Sequence, residues 1–134
     1  MQPTNLRETE PCRRVSGLLS RIGDKWSVLV VMLLGQETRR FNELRREIGG
    51  VSQKMLSSTL RGLERDGFVS RTVHPTVPPR VDYALTDLGR ELLVPVAALG
   101  QWAMANTDRI DDARRRYDEA AADEEKGPAE RARA

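Results

Sequence analysis

Five side chains near the middle of this sequence are placed to touch another molecule. Gln53, Lys54, Ser57, Ser58 and Arg61 recur at spacings of i, i+1, i+4, i+5 and i+8, which puts them on one side of an α-helix. Leu56, Leu60 and Leu63 fall on the opposite side, with Met55 beside them. A helix that only meets water ordinarily carries Glu and Lys. A face of Gln, Ser, Lys and Arg suits the major groove of DNA, where Gln can bond adenine at two points and Lys or Arg favours guanine. The same groups could instead hold phosphates, which sets register without reading sequence; Arg61 is expected there. Arg39, Arg40, Arg45 and Arg46 are expected to divide between DNA-facing positions and ion pairs with Glu43 or Glu47.

Cys12 is the second residue with chemistry to offer. It follows Pro11 at an expected helix start and precedes Arg13 and Arg14. A helix N-terminus and cationic neighbours both favour a thiolate, while Glu8 and Glu10 oppose it. The alternatives are a reactive thiol and an inert, partly buried one. With one Cys and one His, His74, the chain cannot supply the four ligands of a structural zinc site. A Cys–His nucleophile pair would need these two to meet with a third group orienting the base, and there is no Gly-rich phosphate loop. No metal, no cofactor and no enzyme activity are expected. Trp26 and Trp102 are expected as core or interface anchors, or as the lining of an effector pocket between subunits.

The elements that position these residues can be read from periodicity and caps. Residues 1–10 are polar and expected to be mobile. Pro11 opens a helix with an apolar stripe of Val15, Leu18, Leu19 and Ile22, ended by Gly23. Asp24 caps the next, Lys25 to Leu34, which is apolar almost all round and therefore buried. A turn follows, then a short helix from Phe41 to Ile48, broken by Gly49-Gly50. Ser52 caps the helix to Asp66, with Val51 as a hydrophobic staple against Leu56. Phe68 to His74 and Val81 to Leu85 read as two strands joined by a proline-rich tip, Pro75 to Pro79. Thr86 caps a last helix from Asp87 to about Asn106, with a bend expected near Leu92 from Pro95. The stripe of Leu92, Val96, Leu99 and Ala103, with Trp102 beside it, is too apolar to leave exposed. Residues 107–134 are a charged extension, in which the alanine-rich Asp108 to Ala122 could form one more helix and disorder is expected from Asp123.

A helix-turn-helix followed by a two-stranded wing is the winged-helix plan, so the fold is expected to be mainly α with a small β-hairpin. The domain is placed at residues 11–106. Charge supports the plan. The net charge is only +2, yet residues 38–80 hold nine Arg or Lys against four acids, and the chain from 108 on is net acidic. No apolar run approaches the roughly 20 residues that span a bilayer and no signal-peptide pattern is present, so a cytoplasmic protein without a membrane partner is expected.

Linked motifs carry a family resemblance. Ile22-Gly-Asp-Lys-Trp26, Arg40-Phe-Asn-Glu-Leu-Arg45, Gly50-Val-Ser-Gln-Lys-Met-Leu56, Leu63-Glu-Arg-Asp-Gly-Phe-Val-Ser-Arg71 and Pro78-Pro-Arg-Val-Asp-Tyr-Ala-Leu-Thr86 follow one another in order, then Leu88-Gly89. Together, over about Cys12 to Met104, they resemble the HxlR-type regulators, a branch of the MarR-like winged helices. The resemblance implies a homodimeric regulator of transcription that binds double-stranded DNA. It implies that the helix from Ser52 is the recognition helix, that the helix from Phe41 to Ile48 crosses the backbone and braces it, and that Arg71, His74 and Arg80 on the wing lie near phosphates or the minor groove; of the arginines before and within the bracing helix, Arg40 is counted with the DNA-facing residues. It places Val15, Leu19, Leu92, Val96, Leu99, Trp102 and Ala103 at the dimer interface. Several such proteins sense oxidants or electrophiles through an N-terminal cysteine, which makes Cys12 the candidate sensor. A reading from another class is a winged-helix protein-interaction module. Its mark would be an apolar or acidic recognition face, which Gln53 to Arg61 do not form.

Overall fold

The computed structural model describes residues 10–133, with side chains through Gly127. In order the elements are α1 (Glu10–Ile22), α2 (Lys25–Gln36), β1 (Arg39–Arg40), α3 (Phe41–Ile48), α4 (Gln53–Arg65), β2 (Val69–His74), β3 (Arg80–Leu85) and α5 (Asp87–Arg133). The expected mobile segment at residues 1–10 lies outside the described residues except for Glu10, which opens α1.

The caps act as their residue types require. The Ser27 N–H donates to the Asp24 carboxylate at 3.3 Å, the Met55 N–H to Ser52 Oγ at 3.0 Å, and the Gly89 N–H to Thr86 Oγ1 at 3.1 Å. Gly67, with φ 86°, lets the chain leave α4 by a left-handed turn that L side chains rarely adopt. One strand was not legible. Arg39-Arg40 form β1, which pairs antiparallel with β3 (Arg39 opposite Tyr83, Arg40 opposite Asp82). The sheet order is therefore β1-β3-β2, with the hairpin of β2 and β3 in register from Val69–Leu85 to His74–Arg80.

The core sits where α2, α3 and α4 meet the root of the sheet. Val30, Val31 and Leu34 of α2, Leu44 of α3 and Leu56, Leu60 and Leu63 of α4 are fully buried, and Phe68, Val69 and Leu85 close it from the sheet side. Burying each of these side chains contributes about 1.5–3 kcal/mol. Val96, expected at a subunit boundary, is only 4% exposed and belongs to this core, and Leu92 packs against it. Val96 is therefore buried within its own chain and leaves no surface for a second copy, while Leu92 is half-buried. By contrast α1 buries no residue fully.

The chain divides into two compact units, one through Ala97 and one from Ala98. The backbone of α5 stays helical through Pro95, and its non-helical residue is Gly127 (φ 80°). The helix continues past Asn106, is broken by the non-helical backbone at Gly127, and resumes to Arg133. In the second unit Asp112 pairs with Arg115 and Arg116, and Arg109 donates to Asn106 at 2.9 Å. Such i, i+3 and i, i+4 contacts stabilise an exposed helix by a few tenths of a kcal/mol each.

Candidate nucleic-acid interface

The core stripe of α4 fixes which way its other side points. With Leu56, Leu60 and Leu63 locked inward, Ser52, Gln53, Lys54, Ser58 and Arg61 are exposed and Ser57 is half-buried. The structure thus brings the α4 candidates together on one surface. Met55, placed beside the core by its spacing, is instead 47% exposed. Glu64 shares the α4 face as well, so the face is not free of carboxylate. It lines a groove with Ser57, Arg61, Arg71 and Tyr83.

The wing candidates do not form one set. Strand residues alternate between faces. Arg71 lies on the face that carries Val69 into the core, so it belongs with α4 and its groove. His74 and Arg80 are direct partners on the other face. There they meet a residue that sequence reading missed. His74 Nε2 lies 2.9 Å from Asp82 Oδ2, Arg80 Nη2 lies 3.4 Å from the same oxygen, and Arg40 Nε lies 4.0 Å from Oδ1. Arg40 and Arg80 also line a groove of about 760 Å³ with Arg46 and the hairpin tip from Thr76 to Pro79. The signal for Asp82 was present in Arg80-Val-Asp82, an i, i+2 pair on one strand face, but the third partner comes from β1.

The four arginines around α3 divide as their charges require. Arg39 is buried, its guanidinium held by Glu37, by Gln36 at 3.1 Å and by Glu47 at 3.1 Å. It is structural. The exposed Arg40 donates its backbone N–H to the Glu43 carboxylate at 3.2 Å, satisfying a free donor at the start of α3. Arg45 and Arg46 are exposed.

On α1, Cys12 is a free, half-buried thiol. It lines an apolar groove of about 800 Å³ with Pro11, Val15, Ser16 and Leu19. Val15 and Leu19 are more than half exposed in the single chain, as are Leu99 and Trp102 of the second unit, where Ala103 is also exposed. Trp26 packs against the core, with the Lys25 ammonium 4.6 Å from its ring centre.

A polar recognition surface on the second helix of a helix-turn-helix, backed by a wing, is the arrangement of a DNA-binding regulator. Comparison with known proteins decides the family. The HxlR-like helix-turn-helix profile matches residues 21–111.

The chain belongs to the HxlR-like helix-turn-helix family.

The HTH-type transcriptional regulator YtfH of Escherichia coli (strain K12) is 45% identical over 100 residues, covering 75% of this chain and 77% of its own. Among solved structures, the transcriptional regulator ytfH from Salmonella typhimurium superposes with a TM-score of 0.72 at 42% identity, covering 75% of this chain and 90% of its own. The redox regulator HypR in its oxidised form has a TM-score of 0.66 at 40% identity and covers 69% of this chain and 96% of its own. The HxlR-like family consists of transcriptional regulators, not enzymes. Among the described residues no group of His, Cys, Asp and Glu could hold a metal ion, and no helix is long and apolar enough to cross a membrane.

Proposed function

We propose that this regulator acts by binding duplex DNA as a homodimer, with α4 in the major groove and the β2–β3 hairpin against the flanking backbone. The observation that carries this is the division of α4. One side is locked into the core by three leucines and the other presents Gln53, Lys54, Ser58 and Arg61 to solvent. Ser52, Arg40, Arg71, His74 and Arg80 supply the surrounding contacts. A homodimer is supported by the apolar side chains that each chain leaves uncovered: Val15 and Leu19 on α1, and Leu99, Trp102 and Ala103 on α5. Two α4 helices would then meet half-sites about 10 base pairs apart, or a multiple of that.

The test is binding of purified protein to sites selected from a random duplex pool, with Gln53→Ala, Lys54→Ala and Arg61→Ala. Lys54→Ala and Arg61→Ala should weaken binding and flatten its salt dependence. If Gln53 reads a base, its loss should cost about 1–3 kcal/mol and relax preference at one position. Unchanged affinity for all three at low salt refutes the assignment.

A second reading adds an input at Cys12. Two structural neighbours carry redox names or treatments: HypR, a redox regulator, and YodB from B. subtilis, known in reduced and diamide-treated forms. Here the thiol lies in the same apolar groove as Val15 and Leu19. With one cysteine per chain, oxidation can yield an intersubunit disulfide or a thiol capped by another molecule. Either change at α1 would alter the spacing of the two α4 helices. Oxidant should change DNA binding of the unmodified protein and leave Cys12→Ser unaffected; an equal response from both refutes a sensor.

A further inference from the structure

We propose that Asp82 is a positioning residue for DNA binding, its one carboxylate holding basic side chains from all three strands so that Arg40 and Arg80 present a joint seat for a backbone phosphate. The inference rests on the DNA-binding reading above and adds to it a residue and a site.

Asp82 sits on the central strand, directly opposite Arg40 of β1 on one side and Thr72 of β2 on the other. Arg80 is two residues before it on the same strand, and His74 is opposite Arg80. The two-residue period of strands therefore puts Arg40, His74, Arg80 and Asp82 on one face of the sheet. Two of these are permanent cations and the third can become one. Like charges placed opposite one another on a sheet repel, so without an anion among them their side chains would splay apart.

Asp82 is that anion. Its side chain is 20% exposed, far less than those of Arg40 and Arg80. Oδ2 takes His74 at 2.9 Å and Arg80 at 3.4 Å, while Oδ1 faces Arg40 at 4.0 Å. The exposed parts of the two arginines line one groove with Arg46, Thr76 and Glu43; the Glu43 carboxylate is engaged there by the Arg40 backbone N–H at 3.2 Å, and Asp82 does not line the groove. A carboxylate beside a DNA surface is costly by its field alone. Its position behind the arginines, with the cations in front, makes it an organiser of the seat and keeps it from facing a phosphate.

The sign of its effect separates the two possibilities. If Asp82 acted only as a negative charge near DNA, Asp82→Asn would tighten binding. If it positions Arg40 and Arg80, the same change weakens it. The probe is a labelled mixed-sequence duplex of about 30 base pairs, since phosphate contacts do not depend on sequence, titrated between about 50 and 200 mM salt. We expect Asp82→Asn to lower affinity on the order of tenfold and to reduce the magnitude of the salt slope by roughly one per subunit. Arg80→Ala should weaken the unmodified protein but cost little more in Asp82→Asn, because the arginine is already misplaced there. Asp82→Glu, which keeps the charge and shifts it by one methylene, should bind between the two, and it carries the test if the Asn variant does not fold. Unchanged or tighter binding by Asp82→Asn, an equal cost of Arg80→Ala in both backgrounds, or Asp82→Glu identical to the unmodified chain would overturn the inference. Absence of salt-dependent binding by the unmodified chain would sink the DNA-binding reading itself. Normal binding by that chain with an unaffected Asn variant sinks the inference alone.

Discussion

Replacing Gly89 with Ala opposes two effects whose magnitudes can be set side by side. Gly89 is in the first turn of α5, and Ala is favoured over Gly within a helix by about 1 kcal/mol. By propensity alone the change should stabilise. The structure predicts the reverse. A Cβ on Gly89 would lie 2.1 Å from the Phe68 carbonyl oxygen, with Phe68 C and Leu85 Cδ2 each at 3.1 Å. The oxygen belongs to the main chain and cannot swing aside. It also accepts the Thr86 N–H at 3.1 Å, and Thr86 in turn hydrogen-bonds to Gly67 and Gly89. Restoring ordinary contact requires α5 to back away from the root of the wing by more than 1 Å, stretching these bonds. Overpacking of this kind costs about 1–3 kcal/mol, or more where backbone must move. Because the clashing atom is main chain, the cost belongs in the upper part of that range, about 2–3 kcal/mol, and after the propensity gain the net loss is about 1–2 kcal/mol. At roughly 4–8 °C per kcal/mol for a domain of this size, the melting temperature should fall by about 5–15 °C. The assay is thermal unfolding by circular dichroism at fixed protein concentration, since association also shifts the midpoint. Gly17→Ala in α1 is the comparison: nothing lies within 4 Å of its added Cβ, and propensity alone should raise its midpoint slightly. If Gly89→Ala melts at or above the unmodified protein, the steric reasoning is wrong.

Other outcomes follow from single contacts. Ser52→Ala removes the side-chain acceptor for the Met55 N–H and should cost about 1 kcal/mol in unfolding by denaturant, with DNA affinity lowered as the start of α4 frays. Arg39→Ala empties a buried site and takes the 3.1 Å partner from Glu47, whose carboxylate stays in contact with water, so a loss of about 1–3 kcal/mol is expected, against less than about 0.5 kcal/mol for the exposed Arg45→Ala. Leu19→Asp and Leu99→Asp place a charge on faces proposed to be covered by a second copy, and sedimentation should show monomers or aggregates; a soluble monomer for the unmodified chain would count against the dimer. Val96→Ala should act differently, destabilising the fold itself by about 1–3 kcal/mol, because Val96 is in the core of the single chain.

Much of this architecture was legible because local rules act within a few residues. Asp24, Ser52 and Thr86 cap their helices through oxygens that reach backbone N–H groups three positions on. The leucines at 56, 60 and 63 point α4 inward, which leaves Gln53, Lys54 and Arg61 to solvent without help from any other element. Proline at the hairpin tip and glycine after Asp66 mark turns by their own backbone limits.

Tertiary structure alone decided where distant residues meet. β1 is two residues long and has no periodicity to detect; only its pairing with β3 makes it a strand. That pairing buries Arg39, sets Arg40 opposite Asp82 and so creates the cationic cluster on the wing. Arg71 and His74 are three residues apart and seemed one group, yet strand alternation sends them to opposite faces. Val96 and Leu99 share an apolar stripe, but the first is in the core while the second is 61% exposed. A stripe states that a face is apolar, and only the packing of the other elements fixes how much of it the same chain covers.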